Sequence, residues 1–228
     1  MRAIPATLPR RQPRQARARV TVDAIIEATA RVLVAEGYDR ASTNRIAEAA
    51  GVSIGSLYQY FGSKEALVAA LADAHAARMI AAMTRALHAT ATDDLAQGAR
   101  DVARGLIAAY RVDARLHEVL CQEVPKVGEL RNVYGFEAWV VAHGRQHLDA
   151  VAHEIRLADL DRAMFLLAHA VPSVIRAAVQ ADPDGRDDAR LADEIAELAL
   201  RYLLDEPRLR ESGIPAAPRA QAALRLTA

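Results

Sequence analysis

Residues 42 to 61 read Ser-Thr-Asn-Arg-Ile-Ala-Glu-Ala-Ala-Gly-Val-Ser-Ile-Gly-Ser-Leu-Tyr-Gln-Tyr-Phe, and this stretch constrains the chain more than any other. A serine just before a helix accepts a hydrogen bond from a backbone N–H that has no partner in the first turn. Ser42 is placed to cap a short helix running through Ile46 to Ala50, and Ser53 to cap a second running through Leu57 to about Tyr60. Gly51 lies between them and suits the left-handed turn that ends the first. Two capped helices meeting at a glycine turn make a helix-turn-helix. Ile46, Ala47, Ala50, Val52, Leu57 and Phe61 can pack inward, with Ala47 small because the helices cross closely. The outer face of the second helix then shows Ser53, Ile54, Ser56, Tyr58, Gln59 and Tyr60. Hydroxyls, an amide and a small apolar group suit phosphates and base edges in a major groove. The plainer alternatives are a mere corner in a helical fold and, for Tyr58 and Tyr60, places in the core.

The remainder extends the helical pattern. The chain has 228 residues, 52% of them hydrophobic, enough for one large domain or two small ones around an apolar core. Alanine is abundant and alternating β-branched runs are missing, so an all-α fold is expected. A first helix starts near Thr21, with a stripe of Val22, Ile25, Ile26, Thr29, Ala30 and Leu33, and ends at Gly37. Ser63 caps a long helix to about His88, with Glu65 in the first turn, where the helix dipole favours an acid. Further helical segments are expected at roughly 94–110, 113–124, 130–155, 159–180 and 187–204. Pro172 is expected to kink or interrupt one of them, and Asp182-Pro183-Asp184-Gly185 is a turn.

The net charge is zero, yet residues 1–64 hold ten Arg/Lys against five Asp/Glu, and the remainder is acidic by the same margin. A basic end on an acidic body suggests that this end meets a polyanion. Prolines and mutually repelling arginines in residues 1–19 read as a disordered basic arm, either DNA-contacting or simply solubilising. Residues 20–66 then form the helix-turn-helix domain, 67–206 a helical ligand-binding and dimerisation domain, and 207–228 a mobile tail. The single cysteine, Cys121, fits a reducing cytoplasm. The first residues lack the apolar segment of a secretory signal, and no apolar run is expected to reach membrane-span length, so the reading is a cytoplasmic protein with no membrane partner.

The segment from about Thr21 to Leu71 resembles the DNA-binding domain of the TetR (tetracycline-repressor-like) family. The resemblance is carried by Ile46-Ala47-Glu48-Ala49-Ala50-Gly51-Val52-Ser53 and Leu57-Tyr58-Gln59-Tyr60-Phe61-Gly62-Ser63-Lys64-Glu65. It implies a homodimeric repressor of a palindromic double-stranded DNA operator, with a C-terminal helical domain for an unknown small-molecule effector. Carried over by position, Ser42 and Thr43 touch the DNA backbone, and Arg45 reaches a phosphate or a nearby base. Ile54, Gly55, Ser56 and Gln59 lie in the major groove, while Tyr58, Tyr60 and Lys64 hold phosphates.

On that model the C-terminal part must dimerise and sense. Leu191, Ile195, Leu198, Ala199 and Tyr202 form a helical stripe that is either a two-fold interface or packing within one protomer. Candidates to line an effector pocket are Met83, Leu106, Tyr110, His117, Cys121, Phe136, Trp139, His143, Phe165 and His169, each equally explained as ordinary core. His143 and His147 stand at i, i+4, a spacing that can chelate a metal, but no third ligand is obvious, so neither metal nor cofactor is expected. A metal- or redox-responsive regulator of the same fold is the alternative, the latter through Cys121. No phosphate-cradling glycine loop, nucleophile elbow or His-Glu zinc motif is present, and an enzyme or a structural adaptor is disfavoured.

Overall fold

The structure is a computed structural model that describes residues 12–88, 94–123 and 135–214. The regular elements are α1 (Gln12–Arg40), α2 (Thr43–Ala50), α3 (Ile54–Tyr60), α4 (Lys64–His88), α5 (Leu95–Tyr110), α6 (Ala114–Glu123), α7 (Gly135–Ala150), α8 (Leu160–Ala181), α9 (Asp188–Leu203) and α10 (Glu206–Glu211). Among the described residues there is no strand, as an alanine-rich, helix-periodic sequence requires. They group into two compact units: one up to Ala77 together with 115–135, the other 78–114 with 136 onward.

The first unit is built on α1, α2, α3, the start of α4, and α6. Ile25, Ala28, Val32 and Leu33 of α1 are buried with Ile46 and Ala47 of α2, Leu57 of α3, Leu67, Val68, Leu71 and Ala72 of α4, and Leu116 and Leu120 of α6. Thr29 is buried within the α1 stripe, its hydroxyl donating to the Ile25 carbonyl at 2.7 Å, so the polar atom is satisfied. α1 starts at Gln12 rather than near Thr21. Pro13 falls in the first turn, where a missing N–H costs nothing and the fixed φ suits a helix. Residues 12–19 of the expected arm are therefore helical, and residues 1–11 lie outside the described residues. Gly37 (φ 76°) breaks α1 as expected, with one further turn reaching Arg40.

In the second unit, α9 lays Ala192, Ile195, Ala196 and Leu200 inward, and Asp193 faces Arg100 of α5 at 3.6 Å. α8 is continuous through Pro172, which is buried, so the expected interruption does not occur. Residues 206–214 are packed rather than mobile. Asp205 caps α10, Pro207 occupies its first turn, and Leu209 and Ile214 are buried with Ala96, Leu200 and Leu204. Pro207 opens a helix instead of preventing one. The rest of the expected tail, 215–228, lies outside the described residues.

One expectation about apolar length is corrected. Lys64–Leu87 and Leu160–Ala181 are long and apolar enough to cross a membrane by length and composition. Alanine raises their mean hydropathy, and half of the first window and a third of the second are buried inside the protein, as in core helices.

Candidate nucleic-acid interface

The turn between α2 and α3 is locked from both ends. The Arg45 N–H donates to Ser42 Oγ at 3.3 Å, and the Ser56 N–H to Ser53 Oγ at 3.1 Å, so both expected caps are made. Gly51 sits at φ 68°, ψ 29°; its N–H donates to the Glu48 carbonyl and the Val52 N–H to that of Ala47. This paired 5→2 and 6→1 pattern is a Schellman cap, which needs a residue tolerant of the left-handed region. The Arg31 guanidinium donates to the Ala49 carbonyl at 2.9 Å, tying α1 to the end of α2.

The polar face proposed from the sequence is turned outward. Tyr58 is 51% exposed, Tyr60 41% and Ile54 38%, which removes the core alternative for both tyrosines. Ser53, Gly55 and Gln59 are also exposed, and Ser56 is half-buried. Thr43 Oγ1 and Tyr58 Oη lie 3.1 Å apart, and Ser53 Oγ and Ser56 Oγ 2.8 Å apart. These pairs orient the hydroxyls without removing their capacity for a further bond. Leu57 alone among the α3 residues is buried, and it fixes the rotation of the helix.

The cations are engaged within the protein. Arg45 pairs with Glu36 and with Glu48, each at 2.9 Å, and the Glu36 bond leads in raising its already high pKa. A phosphate reaching Arg45 must compete with two carboxylates. Lys64 Nζ donates to the Tyr38 carbonyl at 3.0 Å and stands 4.0 Å from the centre of the Tyr38 ring. The Tyr38 hydroxyl donates to Glu65 at 3.2 Å, and burial followed by the Glu65 charge pushes the phenol up. Glu65 itself is held below the usual carboxylate range, first by the backbone N–H of its own helix start and then by Ser63. Glu36, Tyr38 and Glu65 went unnoticed as partners because they act across 9 to 27 positions of sequence, which no local pattern records.

The residues chosen for an effector pocket fall into separate places. Met83, Leu106, Tyr110 and Phe136 are buried in the second unit, where the Tyr110 and Phe136 rings meet edge to face at 5.6 Å. His117 and Cys121 belong to the first unit, 3.5 Å apart between Nε2 and Sγ. Phe165 (59% exposed) and His169 lie on the open face of α8, their rings 4.3 Å apart. On α7, exposed His143 stacks on half-buried Trp139 at 4.0 Å and donates Nδ1–H to the Trp139 carbonyl. His143 and His147 are both exposed. A polar group missed by sequence reasoning accompanies the buried set: the Tyr110 hydroxyl donates to Glu137 at 3.4 Å.

Burial is the leading influence on Glu137 and raises its pKa, with a backbone N–H bond, then the charge of Arg176 and the Tyr110 bond, acting against it. A carboxyl whose folded-state pKa lies above its unfolded one favours folding at low pH, and that contribution fades as pH rises through the folded value. Glu137→Gln, neutral throughout, should melt above the parent at pH 7. The gap should close as pH falls below the ordinary carboxylate range; paired melting curves at pH 7 and pH 4 check this, and an equal gap at both would contradict it.

Two family models match the chain: "Bacterial regulatory proteins, tetR family" over residues 25–71, and "Tetracyclin repressor-like, C-terminal domain" over 94–203. The chain belongs to the tetR family. A stretch of 55 residues is 44% identical to the HTH-type transcriptional repressor AcnR of Corynebacterium efficiens, covering 24% of this chain and 29% of that relative. Solved structures of low identity share the fold. The fatty acid degradation regulator FadR of Bacillus halodurans superposes with a TM-score of 0.65 at 22% identity, over 79% of this chain and 94% of that one. FadR of Bacillus subtilis, solved in complex with stearoyl-CoA, gives the same score and identity over 79% and 98%. A tetR-family regulator from Mesorhizobium loti gives 0.64 at 20%, over 83% and 99%. The all-α architecture expected from the sequence is the one these tetR-fold structures share.

Proposed function

We propose that this chain is a homodimeric transcriptional repressor that binds a palindromic DNA operator through α2 and α3 and leaves it when a small molecule enters the second unit. The observation that carries the reading is the outward polar face of α3, capped by Ser53, within the residues 25–71 that match the tetR-family regulatory-protein model. Gln59, Ser56, Gly55 and Ile54 read base edges in the major groove, where an amide can pair with adenine. Ser42, Thr43, Ser53, Tyr58 and Tyr60 bond phosphates, and Arg45 and Lys64 add charge.

Two copies are needed because one half-site gives one short helix of contacts, whereas a two-fold pair spans about one DNA turn, roughly 34 Å. Phe165, Leu166 and Val174 of α8 and Leu198 of α9 are exposed apolar residues and supply that contact. From the stripe expected on α9, Ile195 instead packs inside its own protomer. The effector prefers the arrangement in which the two recognition helices are out of register, and so shifts the population off DNA. Long-chain acyl-CoA heads the list to screen, since the Bacillus subtilis FadR of similar fold holds stearoyl-CoA. This protein would act in the cytoplasm.

Two substitutions separate positioning from reading. Lys64→Ala should weaken binding to all sequences and lower the salt slope by about one per protomer. Gln59→Ala should cost about 1–3 kcal/mol at one base pair of each half-site and leave non-specific affinity intact. Fluorescence anisotropy on a panel of operators at several salt concentrations tests both. An equal loss for every sequence in Gln59→Ala would place the recognition helix in another register.

A further inference from the structure

We propose that Tyr38 is a positioning residue for the phosphate contact of Lys64, a proposal that rests on the DNA-binding role of the first unit. Both residues belong to that unit, Tyr38 near the end of α1 and Lys64 at the start of α4. Gly37, just before Tyr38, breaks the helix at φ 76°, ψ 167°, a region essentially closed to residues with a side chain. Three contacts join Tyr38 to the first turn of α4. Its carbonyl accepts from Lys64 Nζ at 3.0 Å, its ring centre lies 4.0 Å from the same nitrogen, and its hydroxyl donates to Glu65 at 3.2 Å. Tyr38 is buried in the same apolar core as Leu67 and Leu71 of α4, so close packing fixes the ring that the ammonium stands over.

These partners hold the ammonium without cancelling its charge. A carbonyl and a ring face are both neutral, whereas the guanidinium of Arg45 is shared between two carboxylates. An ammonium carries three N–H donors. One goes to the Tyr38 carbonyl and a second can lie over the ring, which leaves a third for a phosphate oxygen. An unheld lysine must order a flexible four-carbon stem when its ammonium meets a phosphate, and that ordering opposes binding. Here the stem is ordered on folding, so DNA meets an ammonium already in place. Charge and position are thus separable: the first belongs to Lys64, the second to Tyr38.

Binding of the full-length protein to a mixed-sequence duplex, followed by fluorescence anisotropy over a salt series, reads the two apart. Lys64→Ala removes a charge and lowers the salt slope. Tyr38→Leu keeps the charge and loses the ring, so it should weaken binding about threefold per protomer, about tenfold for the dimer, at an unchanged salt slope. In a Lys64→Ala background the same change should cost nothing further, whereas a generally loosened domain would lose affinity in both backgrounds. Tyr38→Phe keeps ring and carbonyl and should recover most of the loss. A second measurement needs no DNA. In proton NMR the Lys64 ε-methylene should resonate upfield of the ordinary lysine position in the parent and in Tyr38→Phe, because it lies against an aromatic face, and at the ordinary position in Tyr38→Leu. The chain has one other lysine, Lys126, so a single substitution assigns the signal. An unshifted ε-methylene in the parent, a Tyr38→Leu loss that persists in full without Lys64, or a salt slope that falls with Tyr38→Leu as with Lys64→Ala would overturn the positioning role. A parent with the shifted ε-methylene that binds no duplex at low salt would instead overturn the DNA-binding role itself, and the positioning role with it.

Discussion

Leu57→Ala should lower the stability of the first unit by about 3 kcal/mol and abolish sequence-specific DNA binding. Leu57 is fully buried and is the one buried residue of α3. A helix of 7 residues does not hold itself together in water, so α3 exists because this side chain anchors it to α1, α2 and α4. Truncation removes the transfer energy of three carbons and leaves a cavity that the Ser53 and Gly51 caps prevent the short helix from filling. The loss should appear as a melting temperature about 10 °C lower. Tyr58→Phe on the same helix keeps the packing and should melt with the parent while binding DNA more weakly. A Leu57→Ala protein that melts normally would mean that α3 is not seated as described.

Arg111→Ala should cost about 2 kcal/mol in the second unit. Arg111 follows α5 and reaches the α8–α9 turn: its Nη2 donates to Asp188 at 2.6 Å and to the Asp182 carbonyl at 2.8 Å, and its Nη1 to the Pro183 carbonyl at 3.1 Å. Nε donates to the other Asp188 oxygen, completing a two-pronged pair at partly buried groups. The Asp188 bond raises the Arg111 pKa further, and Asp182 is lowered, first by backbone N–H bonds. Removing the guanidinium strands a carboxylate and two carbonyls together. Lysine cannot span this fork, so Arg111→Lys should recover little. Gly185 closes the same turn at φ 71°, and a Cβ there would stand 2.9 Å from Asp188 Oδ2, so alanine at 185 should disturb the same pair. Urea unfolding of Arg111→Ala, Asp188→Asn and the double variant measures the coupling. Additive losses would contradict a joint role.

The helix-turn-helix was legible because its signals are local. A serine cap, a left-handed glycine and inward apolar positions all act within one or two turns, and Ser42, Gly51, Ser53 and Leu57 do in the structure what their spacing implies. Proline was over-read: Pro13 and Pro207 open helices, and Pro172 rides inside one, because proline's cost depends on its position in the helix and not on its presence. The partner of an amphipathic helix is not written in its own stripe. Leu116 and Leu120 show that α6 buries a face, yet nothing local says that the face meets α1 and α4. Aromatic type, used to choose pocket candidates, does not separate buried Phe136 from exposed Phe165.

The central claim, a dimer reading a two-fold DNA site with α3, is tested most directly by selection from random-sequence DNA. Purified protein, unfolded and refolded to strip any bound effector, is incubated with the pool, and the retained fragments are sequenced. The account predicts an enriched palindrome with half-sites about one helical turn apart, lost from the Gln59→Ala selection at one position in each half. Retention that is weak, salt-sensitive and without an enriched sequence would contradict it.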